Sequence, residues 1–172
     1  GKRLGIIGLG KIGSQVAKVG QAFGMEVSAW SENLNLSEAN KLNVLPMSKD
    51  DLIKTSDILS IHVVLGDKYK NLITKKEFKE MKKSSFLINT SRGEIINEND
   101  LTEFLSINKS AKYATDVLSG EINGIYNNPI KKYFDENPNQ VIITPHIGGM
   151  TTEAQNMAFG HAANLLKEAL SD

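Results

Sequence analysis

The chain has 172 residues, no cysteine, and 20 basic residues balanced by 20 acidic ones. This length fits one domain with a substantial core, and the charge balance argues against nucleic acid or an anionic membrane as a partner. The absence of cysteine excludes disulfides and thiolate metal sites, and we expect no metal. We see no apolar run of membrane-spanning length and no signal peptide, and so expect a cytoplasmic protein.

Short β-rich apolar runs alternate with helical candidates along the chain. We predict strands at Leu4–Ile7, Val27–Trp30, Ile58–Val64, Phe86–Ile88, Tyr113–Thr115 and Val141–Ile143. We predict helices at Lys11–Phe23, Lys49–Lys54, Lys75–Met81, Glu98–Ile107, Pro129–Phe134 and Thr152 to about Leu170. The last helix carries an apolar stripe that we expect to be buried: Met157, Ala158, Leu165, Leu166 and Ala169. The alternation indicates a Rossmann-type, doubly wound α/β domain, with a mainly parallel sheet and helices on both faces.

A glycine-rich turn, Gly8-Leu9-Gly10-Lys11-Ile12-Gly13, directly follows the first predicted strand. Gly8 permits the tight turn, Gly10 lets a pyrophosphate approach the backbone, and Gly13 lets the helix lie close to the strand. The anion then meets the positive helix N-terminus. We predict a dinucleotide site at which Gly8, Gly10, Lys11, Ile12 and Gly13 contact the cofactor; an ordinary structural turn is the alternative.

Ser31 and Glu32 stand at the end of the second strand, about twenty residues beyond the glycine turn, where an acidic group binds the ribose hydroxyls of NAD. No arginine or lysine is adjacent in sequence, and a carboxylate repels the 2′-phosphate of NADP. We therefore predict NAD rather than NADP, with Ser31 and Glu32 at the ribose. The alternative is that Glu32 merely opens a polar loop.

Polar segments follow the later strands, and the carboxyl ends of parallel strands open towards the ligand. Asn89-Thr90-Ser91-Arg92-Gly93 follows the fourth strand, Asp116-Val117-Leu118-Ser119-Gly120-Glu121 the fifth, and Thr144-Pro145-His146-Ile147-Gly148-Gly149 the sixth. Arg92 would offer a planar fork suited to a carboxylate and a polarised carbonyl. Pro145 constrains His146 and places it at the cleft, whereas we expect structural roles for His62 and His161.

Together these segments resemble the NAD-binding domain of the D-isomer-specific 2-hydroxyacid dehydrogenases, the family that includes D-3-phosphoglycerate dehydrogenase. The resemblance implies that Arg92 binds the substrate carboxylate and carbonyl, that His146 is the general acid/base, and that Glu121 orients it. It also implies that Asp116 contacts the nicotinamide carboxamide, and we place Thr90 and Gly148 at the cofactor as well.

The sequence departs from the family pattern near the predicted catalytic pair. Ile122 stands where the family commonly has proline, and the stretch from Glu121 to His146 is several residues longer than usual. Glu136 is therefore a weaker alternative to Glu121. The segment His62-Val63-Val64-Leu65 lacks a proline that the family often carries, and we assign it only packing at the cofactor cleft.

The resemblance also predicts the organisation of the protein. Family members insert the nucleotide domain into a substrate domain made from both ends of the polypeptide, so we expect residues 1–172 to be the nucleotide half of a longer, dimeric enzyme. The expected substrate is a 2-hydroxy or 2-keto acid, with D-3-phosphoglycerate, D-lactate and glyoxylate/hydroxypyruvate all open. Two alternatives are an NAD-responsive corepressor and a structural domain whose glycine turn binds nothing.

Overall fold

The computed structural model describes residues 1–170, in which seven parallel strands form one sheet. The strands are β1 (Arg3–Ile7), β2 (Glu26–Trp30), β3 (Leu45–Pro46), β4 (Ile58–Ile61), β5 (Phe86–Asn89), β6 (Lys112–Thr115) and β7 (Val141–Ile143). Their order is β3-β2-β1-β4-β5-β6-β7. The predicted Rossmann-type fold is confirmed. The order reverses between β1 and β4, and ligands of such sheets bind beyond the strand ends at this switch point.

Within residues 1–170, seven α-helices connect or follow the strands: α1 (Lys11–Ala22), α2 (Leu36–Lys41), α3 (Lys49–Thr55), α4 (Lys75–Glu80), α5 (Glu98–Ile107), α6 (Pro129–Glu136) and α7 (Thr152–Ala169). Side chains cap the starts of most of them; the Asn97 side chain, for example, accepts from the Asp100 backbone N–H at the start of α5. No side chain caps α1. None of the helices within residues 1–170 has the length and apolar character needed to cross a membrane.

Two apolar clusters cover the sheet. The larger contains the inner residues of β4–β6 and the helices against them, including Leu59, Leu87 and Tyr113. The smaller joins β1 and β2 to α1 through Ile6, Ala17 and Ala29, among other residues. Both clusters lie beneath the strand ends, so close-packed core residues support the connecting loops.

The sequence prediction missed two elements and extended one strand three residues too far, and several other boundaries differ by one or two residues. Helix α2 and the two-residue strand β3 were not predicted; β3 is a short edge strand and carries little periodic signal. Strand β4 ends at Ile61 rather than Val64. Its neighbour β1 ends at Ile7 and turns into the glycine loop, so the later residues have no strand to pair with on that side.

The predicted burial of the α7 stripe is also wrong. Every α7 residue except Ala154 is exposed, with Met157 75% and Leu166 64% accessible. The helix runs on beyond β7, and no other segment of residues 1–170 covers its apolar side. Periodicity identifies which face of a helix favours burial, but it does not identify what would cover that face.

Candidate active site

The glycine turn after β1 has the tight geometry that its sequence predicts. Gly8 has a positive φ of 98°, and a Cβ there would lie 2.8 Å from the carbonyl carbon of His62. A Cβ on Gly13 would lie 2.1 Å from the Gly8 carbonyl oxygen. These two glycines are therefore required by the turn itself, because a side chain at either position would displace backbone.

Gly10 has a different environment. A Cβ on Gly10 would meet no atom within 4 Å, and its φ of −90° suits any residue. Helix α1 begins here without a capping side chain and without an acidic residue in its first turn. Its first N–H groups and positive dipole end therefore favour an anion. Exposed Lys11 and Ile12 adjoin this point, so the turn fits the pyrophosphate of a dinucleotide.

Ser31 and Glu32, after β2, differ in what they contact. The Ser31 hydroxyl accepts a hydrogen bond from the Leu9 N–H at 2.9 Å and so supports the glycine turn. One carboxylate oxygen of Glu32 lies 2.5 Å from Lys68 Nζ, and the Tyr69 hydroxyl donates to it over 3.4 Å. The hydrogen bond from Lys68 lowers the pKa of Glu32. Sequence reasoning missed Lys68, because only the fold brings it to Glu32.

The Arg92 loop after β5 is fixed by the buried Asn89 side chain. Asn89 donates to the Arg92 carbonyl at 2.9 Å and accepts from the Ser91 N–H at 3.0 Å. The Arg92 guanidinium donates to the Ser91 carbonyl at 2.7 Å, which uses one of its donors. A cavity of about 430 Å³ joins Arg92 to Thr90, His62 and Ile12. The Arg92 guanidinium therefore lines this cavity with N–H donors still available to a ligand.

Asp116, after β6, organises the loop that carries His146. Its carboxylate accepts from the Thr144 hydroxyl at 2.5 Å, from the Ile147 N–H at 2.9 Å and from the Gly148 N–H at 2.7 Å. Burial opposes ionisation of Asp116, but these hydrogen bonds prevail and lower its pKa. The predicted contact with nicotinamide would come in addition to this role, which the sequence did not predict.

His146 and Glu121 form a close pair. The Nδ1 atom of His146 lies 2.5 Å from Oε1 of Glu121, whose other carboxylate oxygen accepts from the Leu118 N–H at 3.1 Å. His146 is also one of the few non-glycine residues with a positive φ, 54°, a conformation that concentrates at functional sites. Glu121, rather than Glu136 of α6, contacts the histidine.

A buried carboxylate supports the turn before Glu121. Glu98 accepts from the Ser119 N–H at 2.8 Å and from the Asn128 side chain at 2.5 Å. Glu94 accepts from the Gly120 N–H at 3.1 Å. Burial raises the pKa of Glu98. Nothing in the local sequence distinguishes Glu98 or Asn128 from ordinary helix-start residues, so sequence reasoning missed this support.

The structure places the predicted substrate-binding and acid/base residues on two separate cavities that share no lining residue. Asp116, Glu121 and His146 line a cavity of about 510 Å³, whereas Arg92 and Thr90 line the smaller one. Gly93 connects the two loops, because a Cβ there would lie 2.1 Å from the Ser119 backbone nitrogen. No cluster of three or more potential metal ligands occurs within residues 1–170.

His62, for which we expected a structural role, adjoins the glycine turn. Its Nε2 lies 2.9 Å from the Ser60 hydroxyl. Burial lowers the pKa of His62. The side chain is partly buried and lines the cavity that also contains Arg92.

Known proteins resemble this chain in sequence and in fold. The family model for the NAD binding domain of D-isomer specific 2-hydroxyacid dehydrogenases matches residues 1–148. Glyoxylate reductase from Aeropyrum pernix is 38% identical over 168 residues, which are 96% of this chain and 48% of that protein. The chain thus spans about half the length of the curated relatives it matches.

Solved structures agree with the family match. D-lactate dehydrogenase from Aquifex aeolicus, complexed with NAD and lactic acid, superposes with a TM-score of 0.89 at 28% identity, over 99% of this chain and 54% of that one. Phosphoglycerate oxidoreductase from Vibrio cholerae gives a TM-score of 0.84 at 30% identity, over 100% of this chain and 54% of that one. None of these relatives is described as a corepressor. The chain belongs to the D-isomer specific 2-hydroxyacid dehydrogenase family and is an NAD-binding domain of that family.

Proposed function

We propose that this chain is the nucleotide-binding half of an NAD-dependent D-2-hydroxyacid dehydrogenase. The observation that carries the proposal is the contact between His146 Nδ1 and Glu121 Oε1 at the carboxyl edge of the sheet. A histidine anchored through one ring nitrogen presents the other to a substrate. Its position on a nucleotide-binding fold matches a reaction that moves a hydride and a proton together.

The protein's share of this chemistry is orientation and proton transfer. The glycine turn and the N-terminus of α1 would hold NAD, which would supply a hydride acceptor for oxidation at C2 of a 2-hydroxy acid and, when reduced, a hydride donor for the reverse reaction. His146 Nε2 would take the hydroxyl proton during oxidation and give it back to the carbonyl oxygen during reduction. Arg92 would hold the substrate carboxylate and polarise the C2 oxygen through its planar fork.

Glu121 would fix the tautomer of His146. Because its carboxylate accepts from Nδ1–H, the unprotonated nitrogen of the neutral ring is Nε2, as a general base requires. The negative charge also stabilises the imidazolium that forms when the proton arrives. The Leu118 N–H and the Glu98–Asn128 contacts hold the turn that carries Glu121.

The rest of the proposal concerns the complete protein. The substrate domain would come from flanking sequence, would close the cleft against water and would select the side chain of the acid. A homodimer in the cytoplasm is part of this proposal. Glyoxylate, pyruvate and 3-phosphohydroxypyruvate are the keto acids to test first, because the relatives' names include glyoxylate reductase, D-lactate dehydrogenase and phosphoglycerate oxidoreductase.

The test compares the 172-residue chain with its complete parent protein. We expect saturable NAD⁺ binding by the chain with little or no turnover, and NADH-dependent reduction of at least one 2-keto acid by the parent. A parent that binds NAD⁺ but reduces no 2-keto acid would contradict the proposal and favour the corepressor reading. Robust turnover by the chain alone would contradict its assignment as half of the catalytic unit.

A further inference from the structure

An ion pair links the loops that follow β2 and β4. In the sheet, β1 lies between these two strands and ends in the glycine turn. Glu32 follows β2, whereas Lys68 lies in a one-turn 3₁₀ helix, Asp67–Tyr69, after β4. The Lys68 Nζ lies 2.5 Å from Glu32 Oε2, so the pair extends past the end of β1, beside the glycine turn.

Each partner has a different chemical use at this position. An acidic side chain at the end of β2 hydrogen-bonds the adenosine ribose of NAD, whereas a nearby cation accommodates the 2′-phosphate of NADP. Here both groups are present and are bonded to each other. Side-chain exposures of 55% for Lys68 and 49% for Glu32 leave them accessible to a nucleotide. The Ser31 hydroxyl accepts from the Leu9 N–H and carries no charge that would repel a phosphate, so the charge-based choice rests on Glu32 and Lys68.

We propose that Lys68 is a latent ligand for the 2′-phosphate of NADP and that Glu32 keeps it out of use, so that this pair sets the preference for NAD. The proposal rests on the proposed function only in requiring a nucleotide at the glycine turn. Glu32 acts in two ways, because its charge repels a phosphate and also neutralises Lys68. Tyr69 supports the arrangement: its hydroxyl donates to Glu32, and Lys68 Nζ lies 5.3 Å from its ring centroid.

The proposal predicts that removing the Glu32 charge turns Lys68 into a phosphate ligand. The experiment is calorimetric titration of the 172-residue chain with NAD⁺ and, separately, with NADP⁺. Four variants are compared with the wild type: Glu32→Gln, Lys68→Met, the double variant, and Lys70→Met. Lys70 is the matched control, since it is an exposed lysine just beyond the same turn. Circular dichroism confirms that each variant is folded.

The expected NADP⁺ affinities form a double-mutant cycle for Glu32 and Lys68. Glu32→Gln should tighten NADP⁺ binding by about tenfold or more, because a charge-assisted bond to phosphate replaces a repulsion. The double variant should lose that gain, Lys68→Met alone should still bind NADP⁺ weakly, and Lys70→Met should behave as the wild type. The gain should also shrink as salt is added.

Two results would overturn the inference. An equal NADP⁺ gain in Glu32→Gln and in the double variant would show that Lys68 is not the phosphate ligand. Unchanged NADP⁺ affinity in Glu32→Gln, with NAD⁺ still bound by the wild type, would show that the Glu32–Lys68 pair does not set the cofactor preference. That result would leave the proposed function intact. Absence of NAD⁺ binding by the wild-type chain would contradict both.

Discussion

The imidazole of His146 and the carboxylate of Glu121 meet at 2.5 Å although 25 residues separate them in the chain. Two independent sets of contacts produce this meeting. Asp116 holds the backbone that follows His146, and Glu98 holds the turn that precedes Glu121. The relative position of His146 and Glu121 is therefore set by buried groups beneath the cleft rather than by the exposed loops themselves.

Replacing either member of this pair should impair proton transfer in the complete parent protein. His146→Ala should lower kcat by about two to four decades, because it removes the proposed general acid/base. Glu121→Gln keeps the size of the side chain but loses its charge, and should lower kcat by at least about tenfold. Steady-state reduction of a 2-keto acid measures both effects. The control is His161→Ala on exposed α7. An unchanged kcat in His146→Ala would exclude His146 from the mechanism.

Arg92 should not tolerate a change to lysine. The two cations have the same charge, but an ammonium group cannot reproduce the bidentate fork that holds a carboxylate and polarises a carbonyl. We expect Arg92→Lys to lower kcat/KM of the parent protein by at least about tenfold while NAD⁺ affinity stays the same. Wild-type kinetics in this variant would refute the substrate-binding role of Arg92.

Substitutions at two glycines of the turn should have different effects, one on NAD⁺ affinity and the other on the stability of the fold. Gly10→Val places a side chain where the structure has open space, so it should weaken NAD⁺ binding at least about tenfold but cost no more than about 1 kcal/mol of stability. Gly13→Ala drives a methyl group into the Gly8 carbonyl oxygen and should destabilise the fold by about 1–3 kcal/mol. Calorimetric titration and urea unfolding measure the two effects. Tight NAD⁺ binding by Gly10→Val would exclude the predicted pyrophosphate site.

Asp116 should give the domain a measurable acid-sensitive stability. Its pKa is lowered in the folded state, since the hydrogen bonds from Thr144, Gly148 and Ile147 outweigh burial. Its contribution is therefore complete above the unfolded pKa of about 3.9 and disappears as pH falls through the lower folded value. Asp116→Asn turns an amide donor towards the loop N–H groups and should cost about 1–3 kcal/mol near pH 7.

Urea unfolding at several pH values tests this prediction. The difference in unfolding free energy between wild type and Asp116→Asn should be nearly constant from about pH 5 to 8 and shrink below about pH 4. Asp135→Asn is a suitable control, because Asp135 is exposed on α6 and pairs only with its helix neighbour Lys131 among its described contacts. A difference that does not change with pH would contradict the role given to the Asp116 charge.

The sequence was sufficient for features that depend on local pattern. Six of the seven strands follow from short apolar runs, and the glycine turn follows from residues adjacent in the chain. The loops carrying Arg92, Glu121 and His146 could be placed at one edge because parallel strands end together. The edge strand β3 was missed because two residues are too few to show alternation.

Features that depend on distant partners could not be predicted in this way. Lys68 reaches Glu32 from a loop 36 residues later, and Glu98 supports Ser119 from the start of α5. Lys68 is an exposed loop residue and Glu98 is the first residue of a helix, so both have an ordinary local context, and only the tertiary fold gives them these partners. The same reason explains α7: the period of its sequence predicted a buried apolar stripe, but no described segment covers that stripe.

The proposed hydride transfer is tested most directly by following a deuterium label from C2 of a hydroxy acid to the cofactor. The complete parent protein is incubated with NAD⁺ and C2-deuterated D-lactate, D-glycerate or D-3-phosphoglycerate, with the L-isomers in parallel, and the reduced cofactor is examined by mass spectrometry. We expect label in NADH from at least one D-isomer, none from its L-isomer, and loss of the transfer in His146→Ala. Label arriving equally from both isomers would contradict the D-specific assignment. Label from none of these acids, and none from C2-deuterated glycolate, would contradict the assignment of this chain to a working 2-hydroxyacid dehydrogenase.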